Sequence, residues 1–488
     1  MAPISRRQAL QLGVLGVAST VVGGVGLARG SAFAPFAPEP RRTFAESPVL
    51  RSRDGALQFQ LKAAQREIEL AGRPATVLSY NGGLPGPTLR LRAGERLQVT
   101  LVNALRAPTN LHVHGLNVSP EGNGDNPFVR IGAGARFDYD FRLPRDHPPG
   151  TYWHHTHLHG LAAEQVSGGL YGAIVVEDDT AVPSTRERVM VVSDISLDTR
   201  GRIRPASTAQ TRMGREGDLL LINGQLRPAM SARPGARERW RVVNACSSRY
   251  LRLALPGQQL QMLAMDSGHL ARPLDAQDVL LAPGNRADLL ITTRAGTSEL
   301  RTLGYDRGAT MGMMCSGAPP TNRAKSLATL RVEGGTTSPL GPIPDRPGAK
   351  DLRGQKVDRR RELTLGMGMG TGTGTGVTID GKRFDHRRTD QAVTAGTVEE
   401  WSIRNPTPMD HPIHLHVWPM QVVGQVGAPV DAPVWRDVVN VPARTESGVR
   451  IGFDNFTGRT VYHCHILDHE DAGMMGVVET MMGVVETR

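Results

Sequence analysis

The sequence predicts an all-β protein built from three similar domains in tandem. Three stretches share an Asn/Asp-Gly turn, a Gly before a charged residue, a β-rich run and a closing Asn, at Asn103, Asn244 and Asn405. These features indicate hairpins and strands rather than helices. The 488 residues include 56 Gly and 34 Pro, which also favours short strands joined by turns. Three β-sandwich or barrel domains of about 150 residues each are therefore expected.

The first 34 residues have the features of an export signal. Arg6 and Arg7 precede a mildly apolar, Gly-rich run, and an Ala-Phe-Ala cleavage site ends at Ala34. A core helix would share the apolar run, but the charged start and the cleavage site together are typical of a signal peptide. The paired arginines are similar to the twin-arginine type, which exports folded proteins. We expect this export machinery as a partner and a periplasmic or otherwise exported location.

The mature chain divides into predicted domains at 35–182, 183–340 and 341–488. Removing residues 1–34 lowers the net charge from +10 to +7, and the remaining arginines are interspersed with acidic residues. This pattern predicts a solvated surface and no nucleic-acid partner. Three cysteines cannot form a disulfide framework, and no later apolar stretch is long enough to cross a bilayer. A monomer without membrane association is expected.

The repeats also align pairs of histidines. A His-x-His pair lies nine and eleven residues after the closing Asn of the first and third repeats, where the second repeat has two leucines. These residues are His112 and His114, His414 and His416, and, in the second repeat, Leu253 and Leu255. Further pairs lie five and seven residues after a Gly in the first and third repeats only. They are His155 and His157, and His463 and His465.

This arrangement predicts a metal centre between domains 1 and 3. Alternate residues of a strand face the same side, so each His-x-His pair directs two imidazoles one way. Imidazole suits Cu, Zn, Fe and Ni. Scattered surface histidines are the alternative, but eight of the fifteen histidines follow the pattern at matched offsets in only two of three repeats.

Cys464 lies between His463 and His465 and predicts a second metal site. On a strand its side chain faces away from its two neighbours. His411 and His469 can complete a His₂Cys set, and Met474 can supply a weak axial thioether. That combination is a blue-copper electron-transfer site. The alternative is a buried structural cysteine.

The chain resembles the multicopper oxidases, the laccase and copper-efflux-oxidase group, over nearly all of its mature length. The motifs "NLHVHGL", "YWHHTH", "HPIHLH" and "HCHILDHEDAGMM" occur in order, with "NGGLPGP" in support. The resemblance implies three cupredoxin domains with Greek-key β-barrels or sandwiches. It also implies four copper ions, one-electron oxidation of a reducing substrate at a type 1 copper, and reduction of O₂ to water at a trinuclear cluster.

The resemblance also assigns the ligands and three acidic residues. It assigns His411, Cys464, His469 and Met474 to the type 1 copper, His112 and His414 to the type 2 copper, and His114, His155, His157, His416, His463 and His465 to the type 3 pair. Glu470 and Asp125 are candidates for proton delivery, and Asp437 for a substrate-proton acceptor at the type 1 rim. Glu470 and Asp125 could each instead be a solvated surface residue. His154 and His159 fall outside the pattern and suggest supporting or surface roles.

The reducing substrate is left open between phenols or other aromatics and metal ions. Met311, Met313, Met314 and Cys315 form a sulfur-rich segment, which is either filler or a Cu(I) site. Three alternatives therefore remain: a cuprous oxidase, a periplasmic copper-resistance protein, and a non-enzymatic protein like the cell-division relatives that keep the fold. Leu365–Gly376 reads as a low-complexity stretch, and the second copy of "MMGVVET", from Met481, as a loose end.

Overall fold

Strands dominate the structure, and its sheets form three pairs in chain order. The computed structural model describes residues 42–308, 323–346, 350–368, 376–425 and 433–483. The predicted signal segment, the Met311–Cys315 segment, most of the low-complexity stretch and the last residues of the tail lie outside the described residues. The predicted all-β class is confirmed, since almost every regular element is a strand.

Domain 1 contains a five-stranded and a four-stranded sheet. Its strands are β1 (Val49–Arg51), β2 (Ala56–Leu70), β3 (Arg73–Tyr80), β4 (Thr88–Leu91), β5 (Arg96–Asn103), β6 (His112–His114), β7 (Arg136–Arg142), β8 (Gly150–His155) and β9 (Tyr171–Val176). The sheet orders are β1-β4-β9-β8-β6 and β3-β2-β5-β7. The strand β5 alternates between half-buried and buried residues, as a strand with one face on a core must.

Domain 2 contains a six-stranded and a five-stranded sheet. Its strands are β10 (Arg186–Ile195), β11 (Leu219–Ile222), β12 (Ala229–Ala232), β13 (Arg237–Asn244), β14 (Leu251–Ala254), β15 (Gln259–Met265), β16 (Gly268–Asp275), β17 (Val279–Leu281), β18 (Arg286–Thr292), β19 (Gly296–Leu303) and β20 (Lys325–Val332). The sheet orders are β11-β10-β13-β18-β15-β16 and β12-β20-β19-β14-β17.

Domain 3 repeats the arrangement of domain 2. Its strands are β21 (Arg359–Met367), β22 (Val377–Ile379), β23 (Gln391–Thr394), β24 (Val398–Asn405), β25 (His411–Leu415), β26 (Met420–Gln425), β27 (Val434–Arg436), β28 (Val438–Val441), β29 (Thr445–Gly452), β30 (Gly458–Cys464) and β31 (Met475–Met481). The sheet orders are β22-β21-β24-β29-β26-β27 and β23-β31-β30-β25-β28.

The same strand relations recur in all three domains. The first long strand runs parallel to the strand that ends in the repeated Asn, in the pairs β2–β5, β10–β13 and β21–β24. Each domain has its own buried apolar cluster, which includes Leu101 in domain 1, Trp240 in domain 2 and Trp401 in domain 3. The two sheets of each domain therefore enclose a separate core.

The described residues include three short helices between the domains' strands. They are α1 (Ala162–Gly168), α2 (Thr208–Met213) and α3 (Leu467–Asp471). A smaller buried cluster joins Trp153 of domain 1, Val243 of domain 2 and Leu467 of domain 3, so all three domains meet beside the strands that carry the histidine pairs. Within the described ranges, no helix has the length and apolar character needed to span a membrane.

Candidate metal centre

The histidine pairs lie on neighbouring strands of domains 1 and 3. Strand β6 pairs with β8 so that His112 lies opposite His155, and β25 pairs with β30 so that His414 lies opposite His463. Cross-strand neighbours on one face are in contact distance, so each domain presents a patch of imidazoles. Strands β14 and β19 pair in the same way in domain 2, with Leu253 in place of the histidine.

Eight imidazoles from domains 1 and 3 meet in one buried group, the eight-histidine cluster. Across the domain boundary, the Nε2 atoms of His112 and His414 lie 3.4 Å apart, and those of His157 and His463 lie 3.0 Å apart. Sets of three have ring nitrogens within 4.8 Å of one another. The sets are His112–His114–His414, His114–His155–His465 and His157–His416–His463. The structure thus brings together all eight predicted histidines.

Hydrogen bonds on the outer side of the cluster fix the orientation of five rings. Each of these rings donates one N–H outward and leaves its other nitrogen facing the cluster, as second-shell partners of metal ligands do. The acceptors are Asp125 for His112 (2.9 Å), Asp437 for His114 (3.0 Å), the Thr156 carbonyl for His155 (2.8 Å), the Asp437 carbonyl for His414 (2.7 Å) and the Cys464 carbonyl for His463 (3.0 Å).

The donor set fits a bound transition metal. Burial lowers the pKa of each of the eight imidazoles, and repulsion between neighbouring rings lowers most of them further, which favours neutral rings with a free lone pair. The Nε2 atoms of His157, His416 and His463 lie 3.0–3.3 Å from one another. Both ring nitrogens of His465 are buried without a hydrogen-bond partner. A cation such as copper resolves these converging lone pairs.

A separate sulfur-containing site lies in domain 3. The Sγ atom of Cys464 is 3.5 Å from Nδ1 of His411 and 3.8 Å from Nδ1 of His469, and all three side chains are buried. Burial raises the pKa of the Cys464 thiol, so the thiolate form requires a cation beside it. The three predicted ligands are therefore together, in a set that suits copper.

The outer nitrogens of both imidazoles in this site are hydrogen bonded. Nε2 of His469 donates to the carbonyl of Arg212 at 2.9 Å, and Nε2 of His411 lies 2.9 Å from the hydroxyl of Thr407. This leaves both Nδ1 atoms free to face the sulfur. Met474 is wholly buried in the same apolar cluster as Cys464, where its backbone carbonyl accepts a hydrogen bond from the Cys464 N–H.

Asp125 and Glu470 both lie against the eight-histidine cluster. Asp125 accepts from Nδ1 of His112 at 2.9 Å and from the backbone N–H of Val113 at 3.1 Å. Glu470 has one carboxylate oxygen 3.1 Å from Nδ1 of His463 and the other 3.6 Å from Nε2 of His157. Burial raises the pKa of each carboxyl group to about 7.

The predicted place of Asp437 at the rim of the Cys464 site is wrong. Strand β28 pairs with β25 so that Val441 lies opposite His411 and Val438 opposite His414. Asp437, one residue before β28, therefore lies at the far end of the strand from the sulfur site. Its carboxylate accepts from Nε2 of His114 and forms a buried ion pair with Arg286.

Sequence reasoning missed several supporting residues. Thr407 precedes His411 by four residues, and this spacing is the one local signal for it. Arg286 belongs to domain 2, which has no histidine pair, and nothing in its local sequence points to the cluster. The two extra histidines behave as expected: buried His154 donates to the Pro87 carbonyl at 3.1 Å, and exposed His159 packs on an aromatic ring.

The structure also contains a cleft of about 290 Å³. Trp418, Trp435, His147 and His269 are among its lining residues, which come from all three domains. None of the three sulfur-site ligands lines this cleft.

Family models and sequence relatives match most of this chain. Three family models described as multicopper oxidase match residues 62–181, 199–299 and 356–483. A laccase from Bacillus stratosphericus is 26% identical, over 90% of this chain and 95% of its own. The cell division protein FtsP of Proteus mirabilis is 26% identical, over 88% of this chain and 91% of its own.

A solved structure agrees with these matches. The multicopper oxidase from Campylobacter jejuni, described as a metallo-oxidase, has a TM-score of 0.78 and 28% sequence identity. The match covers 92% of this chain and 100% of that one. With the family models, it supports copper binding and oxidase chemistry that uses O₂ and a reducing substrate. The chain belongs to the multicopper oxidase family.

Proposed function

We propose that the protein is a laccase-like oxidase with four copper ions. It oxidises phenolic or other aromatic substrates, or metal ions, by one electron at the Cys464 site. It reduces O₂ by four electrons to two waters at a trinuclear centre in the eight-histidine cluster. The observation that carries this proposal is Cys464 itself, whose neighbours His463 and His465 belong to the cluster while its sulfur faces His411 and His469.

Bound copper would supply the one-electron chemistry at the Cys464 site and the O₂ chemistry at the cluster. The protein's residues hold the rings in place and supply protons. Asp125 and Glu470 have pKa values near neutrality and lie beside His112 and His463, so each can hold a proton at the edge of the cluster. Forming two waters from O₂ consumes four protons, which makes two such acids useful.

The non-enzymatic alternative is disfavoured by the intact ligand set. FtsP shows that a cell division protein shares this chain's overall sequence pattern. In a copper-free scaffold, Nδ1 of His416 and both ring nitrogens of His465 would stay buried without a hydrogen-bond partner, which is costly. The geometry therefore favours an oxidase over a purely structural protein.

The test is Cys464→Ser in copper-loaded protein. Thiolate-to-copper charge transfer should give the wild type a strong blue absorption band at about 600 nm. The variant should lose this band and its O₂ uptake with a phenol or Cu(I), while keeping a folded circular dichroism spectrum. A colourless copper-loaded wild type would contradict the assignment.

A second candidate is a cuprous oxidase or copper-resistance protein in which the sulfur-rich segment would bind Cu(I) and deliver it to the Cys464 site, which would accept its electron. Arg307 and Gly308, which precede it, pack directly on the chain before His411: the N–H of Asp410 donates to the Arg307 carbonyl at 2.8 Å, and a Cβ at Gly308 would clash with Pro408. The last described residues before the segment therefore lie beside the loop that leads to His411. Thioethers bind Cu(I) well and have no necessary part in phenol oxidation.

Replacing Met311, Met313 and Met314 together by Leu separates the two candidates. Leucine keeps size and hydrophobicity, so folding should change little. Cuprous oxidase activity should fall while phenol oxidase activity holds or rises. Unchanged rates for both substrates would leave the segment as filler.

We also propose export of the folded protein by the twin-arginine route, on the basis of Arg6 and Arg7. Changing both to Lys should leave an uncleaved precursor inside the cell, because that route requires the arginine pair. Cell fractionation and the mass of the N-terminus would check this. Normal export and cleavage of the double variant would argue for another route.

A further inference from the structure

Arg286 of domain 2 joins all three domains at one buried point. Its guanidinium donates to both carboxylate oxygens of Asp437 in domain 3, at 2.5 and 2.6 Å, and its Nε donates to the Thr151 carbonyl of domain 1 at 3.0 Å. The Arg286 side chain is fully buried. Such a bidentate pair fixes the plane of the carboxylate as well as its charge.

The oriented Asp437 carboxylate in turn fixes His114, a histidine of the cluster. Its Oδ1 accepts from Nε2 of His114 at 3.0 Å, which places the proton on Nε2 and leaves Nδ1 as the ligand atom. That Nδ1 lies 3.4 Å from Nε2 of His155. Gly115 follows with φ +85°, and a Cβ there would lie 2.5 Å from Nη2 of Arg286. The ion pair and the backbone at His114 are therefore fitted closely together.

The residues just before Arg286 contact His465, a second histidine of the His114–His155–His465 set. Gly284, with φ +87°, lies against the His465 imidazole, and a Cβ there would be 2.9–3.0 Å from three ring atoms. Asn285, between Gly284 and Arg286, donates to the Val438 carbonyl of domain 3 at 3.1 Å. Residues 284–286 thus touch domain 3 both beside His114 and beside His465.

The His157–His416–His463 set is supported differently. In the described part of the chain, its rings contact Glu470 and Asp125, and the His463 ring also donates to the Cys464 carbonyl. No such contact comes from domain 2 among these described residues. The two sets therefore depend on different parts of the molecule.

We propose that residues Gly284–Arg286 are a positioning element for the His114–His155–His465 set, through which domain 2 controls metal occupancy there without supplying a ligand. Arg286 orients Asp437, Asp437 selects the His114 tautomer, and Gly284 packs on His465. The proposal rests on copper binding at the cluster, as the proposed function does, but it predicts which site loses copper first.

The experiment compares Arg286→Lys with Arg188→Lys in copper-loaded crystals. Lysine keeps the charge but loses the two-pronged contact. Arg188 also forms a buried bidentate pair, with Glu238 inside domain 2, and contacts no histidine. Copper-edge anomalous scattering gives the occupancy of each site separately, and the blue band reports the Cys464 site independently.

In Arg286→Lys, copper affinity at the His114–His155–His465 set should fall about 10–100-fold, as is typical when a metal-binding histidine loses its hydrogen-bond partner. Occupancy at the His157 set and the blue band should stay at wild-type levels. Asp437→Asn should act in the same direction, because it removes the charge that Arg286 holds. Arg188→Lys should leave all copper sites filled.

The proposal would be overturned if folded Arg286→Lys lost copper equally at the His114–His155–His465 and His157–His416–His463 sets. It would also be overturned if the variant lost no copper. If Arg286→Lys and Asp437→Asn both fail to fold while Arg188→Lys folds, the Arg286–Asp437 ion pair is a structural element. The positioning role is then rejected as well. A wild type that binds no copper in the eight-histidine cluster would instead overturn the proposed function, so the two failures are distinguishable.

Discussion

Domains 2 and 3 have the same sheet arrangement, yet only domain 3 carries ligands. In both, the Asn that closes the repeat is buried and donates to backbone carbonyls further along the chain, two for Asn244 and three for Asn405. Nine residues later, on matching strands, domain 2 has Leu253 and domain 3 has His414. The comparison shows that different residues determine the fold and the metal site. The repeated residues form the sandwich, which does not require the histidines that it carries in domain 3.

The most severe test makes domain 3 resemble domain 2 by replacing His414 with Leu. Leucine already occupies the matching position of domain 2, so the sandwich should tolerate it. Copper at the His112–His414 position should be lost and O₂ uptake should fall at least about 100-fold, while the blue band remains. Copper content, O₂ uptake and absorption would be measured together.

The matched control for that variant is His154→Leu. His154 is buried next to the pattern but donates only to a backbone carbonyl, so this variant should lose about 1–3 kcal/mol of stability and keep its copper. If His414→Leu took up O₂ at the wild-type rate, His414 would not be a required copper ligand, and the distinction between domains 2 and 3 would be wrong.

Copper removal should loosen domains 1 and 3 more than domain 2. Ligand that binds only the folded state adds about 2.7 kcal/mol at a concentration 100 times its Kd. The apoprotein should therefore melt several degrees lower, and amide exchange should quicken in β6, β8, β25 and β30 more than in β14 and β19. A uniform change along the chain, or equal melting curves, would argue against a site shared by domains 1 and 3.

Acid should destabilise the copper-free protein. The eight cluster histidines have folded-state pKa values below 6.5, so the unfolded chain binds more protons around that pH. The neutral histidines therefore contribute their full share to the free energy of unfolding above about pH 6.5, and this share is lost as the pH falls below that value. The raised pKa values of Asp125 and Glu470 change the free energy of unfolding in the opposite direction. Urea unfolding of apoprotein should give lower stability at about pH 5.5 than at about pH 7.5. A higher free energy of unfolding at about pH 5.5 would show that the histidines do not dominate the pH dependence.

The smallest effect is expected from the repeated Asn residues. Asn244→Ala and Asn405→Ala should each cost about 1–3 kcal/mol in denaturant unfolding, because buried carbonyls lose their donors. Only Asn405→Ala should also shift the blue band, since Asn405 accepts from the Thr407 hydroxyl, which contacts His411. A band shift in Asn244→Ala would show that domain 2 reaches the sulfur site as well.

The sequence predicted what depends on local spacing. Offsets of nine and eleven residues from a repeated Asn were enough to group the histidines, because equivalent strands carry equivalent positions. The neighbours of Cys464 followed from the alternation of side chains along one strand. The resemblance to the family then assigned individual ligands. The structure brings the eight imidazoles together in one cluster and His411, Cys464 and His469 together in another.

Features that depend on strand register and on domain packing could not be predicted. Asp437 was assigned to the wrong site because its position follows from how β28 pairs with β25, which no local pattern encodes. Arg286 and Gly284 were missed because they lie in the domain without ligands and act only across its boundaries. A single sequence shows the repeats, but not which side of one repeat touches another.

The division of the eight-histidine cluster between the two ends of the chain also has a consequence in time. His465 is made 353 residues after His112. At about 5–20 residues per second, roughly 18–70 s of synthesis separate the first and last histidines of the cluster. During that interval the imidazoles of domain 1 lack the partners that complete their sites, so domain 1 can fold early but cannot hold the shared metals. Metal loading at the cluster therefore has to wait for a finished chain.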